Sequence, residues 1–130
     1  MFWEEFMLRF FRCKHCGKII VMVNERDVPT ICCGEPMAEL VASSTDAAVE
    51  KHVPVVSVLD NVVRVKVGAV EHPMVAEHYI EWICLQTNLG HQIKYLAPGQ
   101  KAEAEFLLTE GEEIVATYAY CNLHSLWVAE

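Results

Sequence analysis

Cys13, Cys16, Cys32 and Cys33 stand in the spacing Cys-x2-Cys-x15-Cys-Cys near the start of the chain, and together they could close a tetrahedral thiolate shell around one soft metal ion. A closed shell leaves no position for a substrate, so such a centre holds structure or passes one electron. Zinc and iron both accept four thiolates, and residue types alone do not separate them. Further along, a Cys121-x2-His124 pair and several well-separated histidines offer imidazoles with one thiolate, a mixed shell suited to an iron that reacts. The expectation is two metal sites of different chemistry. Disulfides are the competing use of six cysteines, but adjacent Cys32-Cys33 and a Cys-x2-Cys pair are awkward for disulfide geometry and natural for metal. A reducing compartment fits that reading.

The elements that must position these residues follow from length and pattern. The 130 residues suit one medium domain, or a small metal-stapled domain joined to a larger one. Ten lysines and arginines against eighteen acids give a net charge of −8, which makes a phosphate-binding surface a poor expectation and nucleic acid an improbable partner. No stretch approaches the roughly 20 apolar residues of a membrane span. The aromatic start, Met1 to Phe11, is broken by Glu4, Glu5 and Arg9 and has no small-residue cleavage site, so no export signal is read and a cytoplasmic location is expected.

Residues 1–43 are expected to form the four-cysteine domain with its linker. Gly17 and Gly34 each follow a cysteine directly and permit the tight turns a metal needs. A unit this small can bury little surface, so metal must supply much of its folding free energy. Ala42 to Ala48, small and polar, reads as a linker, with the boundary near Ser44. Residues 44–130 then show short apolar runs at Val53 to Leu59, Val62 to Val67, His78 to Thr87, His91 to Leu96, Ala102 to Leu108 and Ile114 to Tyr120. Turn chemistry separates them at Asp60-Asn61, Asn88-Leu89-Gly90, Pro98-Gly99 and Glu110-Gly111. That rhythm predicts an all-β protein whose larger part is an immunoglobulin-like antiparallel sandwich. At the N-terminus, Phe2, Trp3, Phe6, Met7 and Phe10 recur at helical spacing, while Met7 to Arg12 also reads as a strand leading into Cys13.

The Cys-x2-Cys followed by an adjacent cysteine pair resembles the desulforedoxin centre, a rubredoxin-type iron site, and this tips the metal from zinc towards iron. The rest of the chain extends the likeness. Glu50-Lys51-His52-Val53-Pro54, Gly68 with His72-Pro73-Met74, His78-Tyr79-Ile80-Glu81-Trp82-Ile83, and Cys121-Asn122-Leu123-His124 with Leu126-Trp127 closely resemble desulfoferrodoxin, the two-iron class of superoxide reductase, from about Cys13 to Trp127. The resemblance implies a desulforedoxin-like domain followed by a neelaredoxin-like catalytic domain. It implies that His52, His72, His78 and His124 place four imidazoles in a plane around one ferrous iron, with Cys121 as axial thiolate and the sixth position open. Neutral imidazoles hold iron without cancelling its charge, and an axial thiolate pushes electron density towards it, favouring release of peroxide. The implied reaction takes one electron and two protons to convert superoxide to hydrogen peroxide, with no oxygen produced.

The resemblance also assigns Glu50 and Lys51 to a loop beside the open position. Lys51 would present positive potential to an anionic substrate and help organise water for proton delivery, and Glu50 would be the carboxylate able to approach that position once iron is ferric. By pattern alone an adjacent charge pair is a solvated loop, a single histidine in a strand is a structural or surface residue, and Cys-x2-His arises by accident. Cys84, in an apolar run, reads as a small buried hydrophobe; His15 is expected to face solvent and His91 is given no role. Two features depart from the family pattern: Ser125 follows His124 where glycine is common, and the lead before Cys13 is long and aromatic. A rubredoxin-like electron donor and a homodimer are the partners the resemblance implies. The alternatives are a non-catalytic iron electron-transfer protein and a zinc-stapled binding module.

Overall fold

The computed structural model describes residues 7–46 and 51–130, and every regular element among them is a β-strand. The chain divides into two compact units, Met1–Val41 and Ala42–Glu130.

The first unit is built from very short strands: β1 (Phe10–Arg12), β2 (Ile19–Val21), β3 (Ile31–Cys32), β4 (Glu35–Pro36) and β5 (Ala38–Glu39). β1 lies between β2 and β5, and β3 pairs with β4 in a separate two-stranded ladder. Its buried hydrophobic side chains among the described residues are Phe10, Cys13 and Met37. Burial on that scale offsets little of the chain entropy lost on folding, which is why a metal staple is needed. Arg9 is paired with both Glu25 and Glu39 across the unit. The strand expected over Met7 to Arg12 starts only at Phe10, and Phe2, Trp3 and Phe6 of the helical pattern lie outside the described residues.

The second unit contains β6 (Pro54–Leu59), β7 (Val62–Val67), β8 (Ile80–Thr87), β9 (Gly90–Tyr95), β10 (Glu103–Leu107), β11 (Ile114–Cys121) and β12 (Ser125–Ala129). They form a three-stranded sheet in the order β10-β7-β6 and a four-stranded sheet in the order β12-β11-β8-β9, with antiparallel pairing throughout. Alternation explains the layers. Val63, Val65 and Val67 are fully buried while Arg64 and Lys66 between them point out, the period-two pattern of a half-buried strand. The core joins those valines to Phe106 on β10 and to Ile80, Ile83, Leu85, Ala119 and Cys121 of the other sheet, as in a sandwich. Leu59 faces Val62 across the Asp60-Asn61 turn, with Asp60 at φ 54°.

Two differences from expectation bear on the site. β12 is a full strand that the sequence pattern did not signal, because the three residues from Asn122 to His124 form its hairpin turn and were read only as ligand spacing. The segment taken as a free linker is partly fixed: Ser43 bridges Trp127, its N–H bonded to the Leu126 carbonyl (3.0 Å) and its own carbonyl accepting from Val128 (2.9 Å). Small polar composition marks a segment as able to be a linker, whereas a strand edge with unpaired groups decides whether it is one.

Candidate metal centres

In the first unit both cysteine pairs sit at hairpin turns. After β1 the chain turns back through Cys13 to Lys18, with the Gly17 N–H bonded to the Cys13 carbonyl (2.8 Å) and the Cys13 N–H to the Lys18 carbonyl (2.9 Å). Between β3 and β4 the turn is Cys33-Gly34, both at positive φ (51° and 77°), and Gly17 is likewise at 81°. Left-handed backbone turns each pair of side chains inward, and glycine adopts it without the Cβ penalty. The four sulfurs lie within 4.8 Å of one another, with Cys16 and Cys32 at 3.6 Å.

The electrostatics of that cluster suit a cation. The Cys16 backbone N–H, 3.5 Å from the Cys13 sulfur, is the main cause that pulls the Cys13 thiol down to about 6. Hydrogen bonding with the Cys16 thiol is the main cause that pushes Cys32 up to about 12, and Cys33 is raised chiefly by its contact with Cys13. Sulfurs this close cannot all be thiolates unless a positive charge sits between them. Cys13 is buried, Cys32 half-buried, and Cys16 and Cys33 reach the surface.

In the second unit the ligand atoms of His52, His72, His78 and Cys121 lie within 4.8 Å of one another. His124 completes the arrangement. Ring centroids run His52 to His72 at 4.7 Å, His72 to His78 at 4.8 Å, His78 to His124 at 5.1 Å and His124 back to His52 at 4.9 Å, every adjacent pair edge to face. The four imidazoles thus form a closed cycle, in which His124 joins the His52, His72 and His78 cluster through its ring contacts. The buried Cys121 sulfur lies 3.8 Å from His124 Nδ1. Three residues of hairpin turn bring thiolate and imidazole to one point, the spacing that Cys-x2-His encodes.

Each ligand has its own support. His72 Nδ1–H donates to the Pro73 carbonyl (2.7 Å), which can only accept, so the lone pair is left on Nε2. His78 is pinned by two reciprocal backbone bonds with Val75, each 3.0 Å. That tight turn is why β8 starts at Ile80 and not at His78. His52 is held from behind by Asp46, whose Oδ1 accepts the backbone N–H groups of His52 (2.5 Å) and Val53 (2.9 Å). Asn122 ties the cysteine turn to the His78 turn: its Oδ1 accepts from the Tyr79 N–H (2.9 Å) and its Nδ2 donates to the Glu77 carbonyl (3.0 Å). Trp127 stacks on the His52 ring at 4.4 Å and 11°. Asp46 and Asn122 escaped the sequence reading, because a lone Asp in a small polar segment and an Asn inside a ligand motif carry no signal until tertiary contacts exist.

Lys51 is half-buried beside His52, and Gly68 passes directly under it. A Cβ on Gly68 would lie 2.8 Å from the Lys51 carbonyl oxygen and 2.9 Å from its carbon, so only glycine lets the two backbones approach. Ser125, the departure from pattern, adopts φ 66°, a left-handed conformation that is strained for serine. Glu50 lies outside the described residues. Cys84 is fully buried on β8, and burial pushes its thiol up to about 12, so it behaves as an inert apolar filler. His15 is on the surface 3.2 Å from Glu35, and His91 is half-buried at the start of β9.

A family model for desulfoferrodoxin matches residues 44–130, and one for the desulfoferrodoxin N-terminal domain matches residues 7–40. A desulfoferrodoxin of Desulfarculus baarsii is 42% identical over 123 residues, 95% of this chain and 96% of that one. The solved superoxide reductase from Treponema pallidum matches with a TM-score of 0.83 at 36% identity, covering 95% of this chain and 98% of that chain. The 1Fe superoxide reductase from Giardia intestinalis matches at a TM-score of 0.53 and 32% identity, covering 62% of this chain and 95% of its own.

Proposed function

The chain belongs to the desulfoferrodoxin family, and we propose that it works as a superoxide reductase, taking superoxide to hydrogen peroxide with one electron and two protons and producing no oxygen. The observation that carries this reading is the closed cycle of four imidazoles with a single buried cysteine sulfur beside it. The two donor sets fit the family's two iron centres: Cys13, Cys16, Cys32 and Cys33 for one, and His52, His72, His78, His124 and Cys121 for the other.

Ferrous iron, when bound at the second set, supplies the electron. The protein's own residues do the rest. Four neutral imidazoles leave the site positive enough to draw an anion, which a shell of carboxylates would not. The Cys121 sulfur, buried away from bulk water, would supply thiolate donation to the ion. Lys51, next to His52 in the chain, adds positive potential on a protein of net charge −8 and organises water that delivers protons. Glu50, by the family resemblance, would supply a carboxylate able to approach the ferric ion. The division is residues 1–43 for the desulforedoxin-like domain and 44–130 for the catalytic one. The reductant is a rubredoxin-like protein, for which the surface-reaching Cys16 and Cys33 offer an electron entry. The chain works as a homodimer in the cytoplasm, where thiolates remain reduced.

The decisive experiment generates superoxide in the presence of reduced protein and measures peroxide and oxygen together. One peroxide per superoxide with no oxygen is expected. Oxygen release with one peroxide per two superoxides would make the protein a dismutase and overturn the reading.

A further inference from the structure

Trp127 touches two of the four imidazole-bearing residues by two independent contacts. Its ring lies flat on His52, 4.4 Å between centroids and 11° from parallel, while its Nε1–H donates to the backbone carbonyl of His124 at 3.0 Å. All four neighbouring pairs in the cycle meet edge to face, so the flat stack comes from outside the ligand set. Trp127 is itself immobilised: it is only 8% exposed, pairs with Ala119 across the β11–β12 ladder and bridges Ser43 on its other side. A rigid indole held by backbone on both flanks can fix the tilt of one ring and the position of the turn that carries another.

The bond to the His124 carbonyl has a particular value. His124 is exposed and sits at the tip of the Asn122-Leu123-His124 turn, immediately before Ser125 at φ 66°. A turn ending in a strained left-handed serine favours relaxation, and the indole N–H opposes it. We propose that Trp127 is the positioning residue of the catalytic centre, a clamp that orients the His52 ring by stacking and holds the strained His124 turn through its indole N–H. This rests on the reading of His52 and His124 as iron ligands.

The test compares the loaded full chain with Trp127→Phe, which keeps an aromatic face but loses the donor, and Trp127→Leu, which loses both. Phe106→Leu is the structural control: Phe106 is 1% exposed in the core of the same unit and lies on β10 opposite Val63. Iron release to a chelator, the thiolate-to-iron absorption band and the electron paramagnetic resonance rhombicity of the oxidised second centre are read together. Loss of a group that orients a metal ligand typically weakens metal affinity by about 10-fold or more, so Trp127→Phe should release the second iron about 10-fold faster with a shifted band, and Trp127→Leu faster still. The four-cysteine centre and the Phe106→Leu spectra should not change. A Trp127→Phe protein with wild-type release rate, band and rhombicity would overturn the inference, as would equal spectral shifts in Phe106→Leu. If the wild-type chain itself bound no second iron, the ligand assignment would fail first, and visibly so, before any variant was compared.

Discussion

Cys121 is the one cysteine of the second unit that meets the imidazole cycle, and its sulfur is fully buried. A serine oxygen there is harder and donates far less than a thiolate. Cys121→Ser is therefore expected to retain part of its iron yet lose turnover with superoxide by orders of magnitude; iron content and stopped-flow rates check it, and a near-normal rate would remove Cys121 from the proposed role of thiolate donor. The steering role proposed for Lys51 rests on its charge. Lys51→Ala should slow the second-order reaction and flatten its salt dependence with iron content unchanged, since steering by a cation is screened over roughly 10 Å at 0.1 M salt. Rates by pulse radiolysis across a salt series decide this: a wild-type slope in the alanine variant would reduce Lys51 to a solvated loop residue.

At the scale of elements, the ends of strands and the turns between them place the ligands. His52 precedes β6, His78 precedes β8, Cys121 closes β11 and His124 lies in the turn to β12, so the site gathers where four strands of two sheets begin or end. Gly68 just after β7 allows the Lys51 backbone to lie against it. Gly68→Ala would force that backbone to move by several tenths of an ångström, because the new Cβ would meet the Lys51 carbonyl at 2.8 Å. Lower iron occupancy at the second centre with the first intact is the expected result, measured as iron per chain with the visible spectrum. Cys84 marks the opposite case, a residue of reactive type with only a packing role. Cys84→Ser buries a hydroxyl in an apolar strand and should lower stability of the second unit by about 1–3 kcal/mol, seen in denaturant unfolding, with both irons retained.

At the scale of the whole molecule, the two units draw on different sources of stability. The second has a continuous core from both sheets, and the first has strands of two or three residues around a thiolate cluster. Removing one thiolate should therefore unfold much of the first unit and leave the second folded. Cys13→Ser is expected to drop iron from two per chain to one, abolish the visible signature of the four-cysteine centre and preserve superoxide reduction. Loss of activity with the second iron still bound would show that the first centre takes part in turnover.

Much of this was open to reading from residue types and spacing. Hairpin-forming cysteine pairs with glycine behind them, the alternating valines of β7 and the turn residues at Asp60-Asn61 are local features, decided by backbone sterics and side-chain period within a few residues. They point to thiolate chemistry, to an all-β architecture and, through the ordered motifs, to the family. Tertiary structure alone decided what depends on distant contacts. The cycle of imidazoles assembles residues 52, 72, 78 and 124 from separate turns. Ser43 became part of a sheet edge because β12 offered it unpaired groups. Asn122 and Trp127 acquired their roles only when Tyr79 and His52 were brought beside them. A donor type and a spacing can be written in a sequence, whereas the partner of a hydrogen bond some 40 residues away exists only once the sheets have closed.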